Sequence, residues 1–417
     1  MANSEHLSLI EQGAEVWNSW YAKHRRVIPD LSQANLSNLK LEGINLKKAI
    51  LTQANLSNTD LNKAQLNSAD LSKANLLGAN LNDADLKGAN LDYVIFFEAI
   101  INRQTIMAAK YRQVYQIVNH QGGNKDFSGV DLSNSNLFRV DLSNAELSNA
   151  KLLNVNFNSA NLNSAYLYKA DLTGANLQNA DLRNAYFSHA NLTSAYLSGA
   201  LCCGTYFKDA ELKFANLKAA KFSPKTMIDL KWYSVWEIVN RGAAKKNLSG
   251  ADLSDANLQD ADFEEANLTN AKLSNAILRR SNLTNANLTN TNLVGANVCG
   301  VDLDRANLKG AKLKSVISDR HTQLSSIGSR NNLMVKERPV VTTETKADET
   351  KIQQPINVHL SQSISPTQKQ NKNSSAWWVI LFLAITGIAA GIFWIQNPNH
   401  PWFAKFEVWK NQIELGQ

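Results

Sequence analysis

Ala69-Asp70-Leu71-Ser72-Lys73-Ala74-Asn75-Leu76-Leu77-Gly78 puts leucine at every fifth position, with alanine two residues ahead of each. The same beat runs from Leu31 through Leu36, Leu41 and Leu46 to Leu91. A period of five suits neither regular element. Five helical steps of about 100° scatter the leucines around the axis. Five strand steps send successive leucines to opposite faces. One core can collect them only if the chain turns a corner every five residues.

Three blocks keep this register, with centres from Leu31 to Ile101, Phe127 to Phe222 and Leu248 to Leu313. Units such as Ala69-Asp70-Leu71-Ser72-Lys73 and Ala251-Asp252-Leu253-Ser254-Asp255 resemble the A-[DN]-L-x-x unit of the pentapeptide-repeat family. The resemblance covers about 60% of the chain. It implies an all-β solenoid, a right-handed quadrilateral β-helix with four five-residue sides per coil. Leu or Phe would fill its core and Ala would let neighbouring walls approach. Such a rod is quasi-one-dimensional, and its ends need covering. Composition agrees: only 7 of 417 residues are Pro, as a chain needing backbone hydrogen bonds on every side requires. Asn recurs before the centres and at corners, where a short polar side chain bonds locally to turning backbone.

The expected domains are an N-terminal helical cap (1–30), repeat block 1 (31–104), a helical insert (105–126), block 2 (127–225) and a second insert (226–247). Block 3 (248–321), a flexible polar linker (322–375), a transmembrane helix (376–396) and a short amphipathic tail (397–417) follow. The inserts repeat one another. Shifted by 121 residues, Thr105–Asn119 returns as Thr226–Asn240, with Trp232 and Trp236 replacing Tyr111 and Tyr115. The spacing Tyr111, Tyr115, Val118 and Trp232, Trp236, Val239 marks one face of an amphipathic helix. These aromatic faces either cover coil ends or dock a partner; covering is the plainer reading, docking the sharper one. Leu7, Ile10, Ala14, Trp17 and Tyr21 form a similar stripe ahead of block 1 and read as a cap.

Ala376–Ile395 is uncharged and, as a helix, would reach about 30 Å, the thickness of a bilayer core. Trp377, Trp378 and Trp394 stand at its two ends, where indoles favour the membrane interface. Gly387 and Gly391 form a GxxxG that suits pairing of two such spans into a homodimer. The balance of lysines on either side (Lys369 and Lys372 against Lys405 and Lys410) leans towards a cytosolic repeat domain with its tail across the membrane. Cys202, Cys203 and Cys299 have no C-x-x-C spacing and read as free thiols.

Catalytic patterns are wanting. The seven histidines fall in no metal-ligating spacing, and no phosphate-cradling glycine loop or nucleophile elbow appears. No enzyme activity, cofactor or metal is expected. The family resemblance brings one further role, mimicry of duplex DNA by an acidic rod acting on type II topoisomerases. Residues 31–313 carry 29 Lys and Arg against 25 Asp and Glu, a balance of +4, which disfavours that mimicry. Lys208, Lys213 and Lys218 read as a solvated girdle, or as a site for an acidic partner or lipid surface. The expected function is a membrane-tethered interaction scaffold for a protein partner, with a nucleic-acid-related regulator as the alternative.

Overall fold

The computed structural model describes residues 1–325. The span Ala376–Ile395, with Gly387 and Gly391, and the tail lie outside them, as does the linker from residue 326 onward. Among the described residues no helix is long and apolar enough to cross a membrane.

Each five-residue side ends in a tight turn. In the first, the Ala34 amide donates to the Leu31 carbonyl (3.1 Å), and Gln33 between them sits at φ +60°. A positive φ at the third turn residue is the mark of a type II turn. Here Gln, Asn, Ser and Lys occupy it as well as Gly, although a left-handed L-residue costs about 1–2 kcal/mol. The ladder offsets that cost. Leu31 N–H donates to Ile50, Gln33 N–H to Thr52, and Asn55 N–H to Ala34, all within 2.9 Å. Parallel bridges pair residue i with i + 20 throughout each block, as in Asp30 with Ile50 and Asp70 with Asn90. Twenty residues therefore make one four-sided coil.

The alternation of inner and outer positions follows from the turn. Leu31 to Leu86 and the alanines between them are sealed inside, and each buried Leu contributes about 1.5–3 kcal/mol. Thr59 and Thr205 replace Ala and remain buried, because their hydroxyls donate to the carbonyls of Leu36 (2.8 Å) and Leu182 (2.7 Å) one coil back. The residue before each centre points outward, and where it is Asp or Asn it can close an Asx turn, as when Asp70 Oδ1 accepts from the Ser72 amide at 3.0 Å. Asn at that position also links coils, as in Asn55 Nδ2 to Asn35 Oδ1 and Asn75 Nδ2 to Asn55 Oδ1. The abundance of Asn thus has two uses at once.

Every block leaves the register in the same way. The final bridges are Asp85 with Ile106, Tyr206 with Met227 and Asp302 with Gln323, each one residue longer than a normal coil. A threonine holds the longer step: Thr105, Thr226 and Thr322 donate their hydroxyls to Leu81, Cys202 and Val298. Each block therefore runs two residues beyond the limit expected from the leucine beat, and Thr322 and Gln323 belong to block 3 rather than to the linker.

Four helices are found among the described residues: α1 (Ser4–Glu11), α2 (Ala14–Lys23), α3 (Ala109–His120) and α4 (Leu230–Arg241). The single stripe expected ahead of block 1 is cut in two by Gly13 at φ +103°. That break lets Ile10 of α1 and Trp17 of α2 enter one core. Beyond α3 the ladder resumes through one corner, where Tyr93 N–H donates to the Asn134 carbonyl (2.8 Å). Beyond α4, Phe214 N–H donates to Asp255 at the same distance. In place of the usual 19-residue step these bonds span 41, so each insert adds a helix without severing the stack. One small defect records the splice. Ser135 is buried, and its hydroxyl has no hydrogen-bond partner among the described residues. The residue 23 positions earlier is Arg112, inside α3 rather than in a coil.

Candidate interaction surfaces

The two aromatic helices lie on coil ends with their marked faces turned inward. Trp232 and Trp236 of α4 are 7% and 6% exposed. The Trp236 ring stacks on Phe222 at 4.7 Å and its Nε1 donates to the Ala220 carbonyl at 2.7 Å. In α3, Tyr115 meets Phe96 edge-on, and the Tyr111 hydroxyl donates to Asp92 Oδ1 at 3.0 Å. Burial, with help from the Asp92 charge, pushes the Tyr111 phenol from its ordinary 10.0 up to about 12. Lys110 and Lys231, one residue ahead of these aromatics, reach Asp92 and Asp252 at 3.5 and 3.6 Å.

A residue that the amphipathic pattern passes over completes each lid. Near the end of α3, Asn119 Nδ2 donates to the Phe96 carbonyl (3.0 Å) while its Oδ1 accepts from the Glu98 amide (2.7 Å). Asn240 does the same for Leu217 and Ala219, at 3.0 and 2.6 Å. At the opposite end of the stack, Asn18 of α2 donates to the Gly43 carbonyl and accepts from the Asn45 amide. A carboxamide carries the same donor and acceptor as a peptide group. Each asparagine therefore replaces one peptide of the missing neighbour coil, giving an edge amide its acceptor and an edge carbonyl a donor. The identity of Asn119 and Asn240 across the 121-residue shift was visible in the sequence. Their backbone partners have no sequence signature.

Of the girdle lysines, Lys208 and Lys218 are exposed and Lys213 is half-buried, and all three take part in ion pairs. Lys208 bonds Asp229 (2.5 Å) and Asp209 (2.9 Å), hydrogen bonds that raise its pKa. Lys213 pairs with Glu211 at 3.1 Å, and Lys218 reaches Asp260 of block 3 at 3.5 Å. The three lie on successive turns and do not converge on one patch.

A row that sequence reading missed stands on one wall of block 2. Successive bridges join Asp126, Glu146, Tyr166, Tyr186, Tyr206 and Met227. Tyr166 and Tyr186 stack with centroids 4.9 Å apart and rings nearly parallel, and Tyr206 follows at 6.3 Å. Tyr166, Tyr186 and Met227 are about half exposed. Tyr168 flanks the row, with Lys169 over its ring and His189 edge-on at 5.6 Å. A 20-residue recurrence of Tyr was the available signal, because one coil is 20 residues long.

The carboxylates with shifted affinity are held low. Burial alone would raise Asp70, but hydrogen bonds from Ser72, Thr52 and Asn90 outweigh it. The Ser128 hydroxyl and amide lower Asp126, and the Arg280 guanidinium lowers Asp260. Such groups accept hydrogen bonds and remain ionised at neutral pH, the opposite of what a general acid needs. Cys202 is buried and desolvation raises its thiol pKa, whereas Cys203 and Cys299 are half-buried; the three form no disulfide. No cluster of His, Cys, Asp or Glu among the described residues has a geometry that would hold a metal ion.

The family described as Pentapeptide repeats matches in 8 copies, over residues 30–67, 64–103, 126–163, 150–188, 185–223, 247–285 and 281–317. No curated protein matches significantly. Among solved structures, a pentapeptide repeat protein from the Arabidopsis thaliana thylakoid lumen is 29% identical, over 27% of this chain and 77% of its own, with a TM-score of 0.25. HetL from the cyanobacterium Nostoc sp. strain PCC 7120, described as involved in heterocyst differentiation regulation, is 24% identical over 74% and 97%, at 0.16. QnrB1, a plasmid-mediated fluoroquinolone resistance protein, is 14% identical over 69% and 95%, at 0.19. Likenesses with TM-scores this low say nothing about activity.

Proposed function

This chain belongs to the pentapeptide-repeat family, and from that premise we propose that it is a non-enzymatic interaction scaffold tethered to a membrane. The observation that carries the reading is the Tyr166–Tyr186–Tyr206 row, a partly exposed aromatic strip on a wall whose coils are bridged one to the next. Such a wall has no free edge for strand addition, so a partner meets side chains only, and Tyr is well suited to that contact. The tether rests on the uncharged stretch Ala376–Ile395 and its terminal tryptophans. Gly387 and Gly391 support pairing of copies within the bilayer. The flanking lysines support a cytosolic placement of the repeat domain. The right-handed quadrilateral coil of the family suits this use, since it offers flat walls and no cleft.

The test is crosslinking and affinity capture of the full chain from membranes. Three comparisons accompany it: a version truncated after Ser375, a Tyr166→Ala/Tyr186→Ala double variant, and the wild type in high salt. A protein set bound by wild type and lost with the double variant establishes the scaffold. Loss of membrane association on truncation establishes the tether. Salt-sensitive recovery of nucleic acid in every sample would overturn the reading in favour of a nucleic-acid-related regulator.

A further inference from the structure

Among the described residues, helices lie over the first coil of block 1 (α1 and α2) and the last coils of blocks 1 and 2 (α3 and α4) but not over the last coil of block 3. The last coil of block 3 is built on the same plan, down to the Thr322 latch and the lengthened Asp302–Gln323 bridge. Yet no helix among the described residues rests on it.

Matching positions show what is missing. Leu91 and Leu212 beneath the lids are 2% and 1% exposed, and Phe96 and Leu217 are 1% each. Their counterparts in block 3, Leu308 and Leu313, are only partly buried. The groups that Asn119 and Asn240 satisfy correspond to the Leu313 carbonyl and the Ser315 amide. The Leu313 carbonyl receives only the long turn bond from Val316 (3.4 Å), and the Ser315 amide donates to no described acceptor.

The chain's own continuation does not repeat the lid. Counted from the exit bridge, Gly328 stands where α3 and α4 have Tyr111 and Trp232, Asn332 where they have Tyr115 and Trp236, and Lys336 in place of the asparagine. The rim also carries unanswered charge. Lys309, Lys312 and Lys314 pair with no described acidic side chain, whereas Lys218, the counterpart of Lys314, reaches Asp260 across its junction.

We infer that the open last coil of block 3 is a docking face for an amphipathic helix of a partner protein, one with an apolar stripe, an asparagine near its end and an acidic flank. The stripe covers Leu308 and Leu313. The carboxamide takes the Leu313 carbonyl and the Ser315 amide, and the acidic flank meets the three lysines. The inference rests on the scaffold reading and names one of its surfaces, away from the tyrosine row.

The probe is a labelled peptide with the sequence of residues 229–241, carrying Lys231→Glu and Arg241→Glu. It is titrated by fluorescence anisotropy into the full chain in detergent, with hydrogen exchange followed at residues 308–316. The expected result is saturable binding that slows exchange at Ser315. Changing the peptide's Asn240→Ala, or Lys309→Glu/Lys312→Glu/Lys314→Glu in the protein, should weaken it about tenfold or more. Those three lysines are exposed, so the triple variant keeps its fold, as circular dichroism would verify. Absence of saturable binding, or equal binding by the triple variant, overturns the inference. So does a Ser315 amide already slow without peptide, which means that the chain or a second copy covers the coil. A docking failure leaves the membrane capture by the tyrosine row unaffected, so the two readings fail separately.

Discussion

The junctions after block 1 and block 2 solve one problem with different side chains. Both use a threonine latch, a 12-residue helix and an asparagine that stands in for a peptide group. The filling differs. The first junction has Tyr111 and Tyr115, Gly122 and Phe127; the second has Trp232 and Trp236, Ala243 and Leu248. A methyl added at Gly122 would approach Leu142 Cδ2 to 2.5 Å and Phe127 to 3.2 Å. At the second junction Ala243 is fully buried, with the smaller Leu248 in place of Phe127 and the larger Phe263 in place of Leu142. The polar frame is held constant, then, while the apolar volume is traded between neighbours.

That contrast can be broken at the filling first. Trp236→Ala should cost about 3–5 kcal/mol locally, through lost stacking on Phe222 and an orphaned Ala220 carbonyl. Tyr115→Ala should cost less, because Tyr115 is only partly buried. Urea unfolding followed by hydrogen exchange on each side of the junction would separate the two; equal losses would refute the difference in filling.

The frame should respond symmetrically. Asn119→Ala and Asn240→Ala each remove two hydrogen bonds, leaving one edge amide without its acceptor and one carbonyl with only its turn bond, a penalty of about 1–3 kcal/mol. Fast exchange at Glu98 in the first variant and at Ala219 in the second is the expected signature. If either amide stayed protected, the asparagine would not be completing the ladder.

Volume exchange gives the next test. Gly122→Ala should destabilise the first junction by about 1–3 kcal/mol through overpacking. Adding Phe127→Leu should recover the part of the loss owed to the 3.2 Å contact, while the closer contact with Leu142, whose counterpart at the second junction is Phe263, remains. Thermal melts of the single and double variants measure it, and additive losses would count against the trade.

The smallest effect is alkaline. Tyr111 keeps its proton in the folded state up to about 12, whereas an unfolded tyrosine loses it near 10.0. Its contribution is therefore complete below pH 10 and declines as pH rises towards 12. Tyr111→Phe should be flatter than wild type over that window, with the Trp232 junction unchanged. Parallel curves in pH-dependent melts would remove Tyr111 from the account.

Much of this architecture was legible before any coordinates, for a physical reason. A core one leucine wide leaves the sequence only one way to satisfy a five-residue period, so Leu31 to Leu313 declare the corner themselves. The 121-residue echo likewise exposed α3 and α4, because apolar spacing survives the exchange of Tyr for Trp. What stayed hidden depends on partners far along the chain. Asn18, Asn119 and Asn240 look like ordinary surface polar residues until the unpaired backbone groups beneath them are in view. Gly13 interrupts the first helix without interrupting the apolar stripe, so the stripe Leu7 to Tyr21 read as continuous. The tyrosine row becomes a row only when residues 166, 186 and 206 are wound onto one wall.

The ladder of i with i + 20 also determines how the molecule bears mechanical load. Its hydrogen bonds run from coil to coil, along the line of stacking. A pull on the chain beyond residue 325 enters at the Asp302–Gln323 pair and meets those bonds end-on, a few at a time, like the teeth of a zip. Coils of block 3 should peel singly at low force. The zip then jams at α4, where Trp236 and Asn240 must leave together, so extension should proceed in small even steps interrupted by two taller barriers, one per lid.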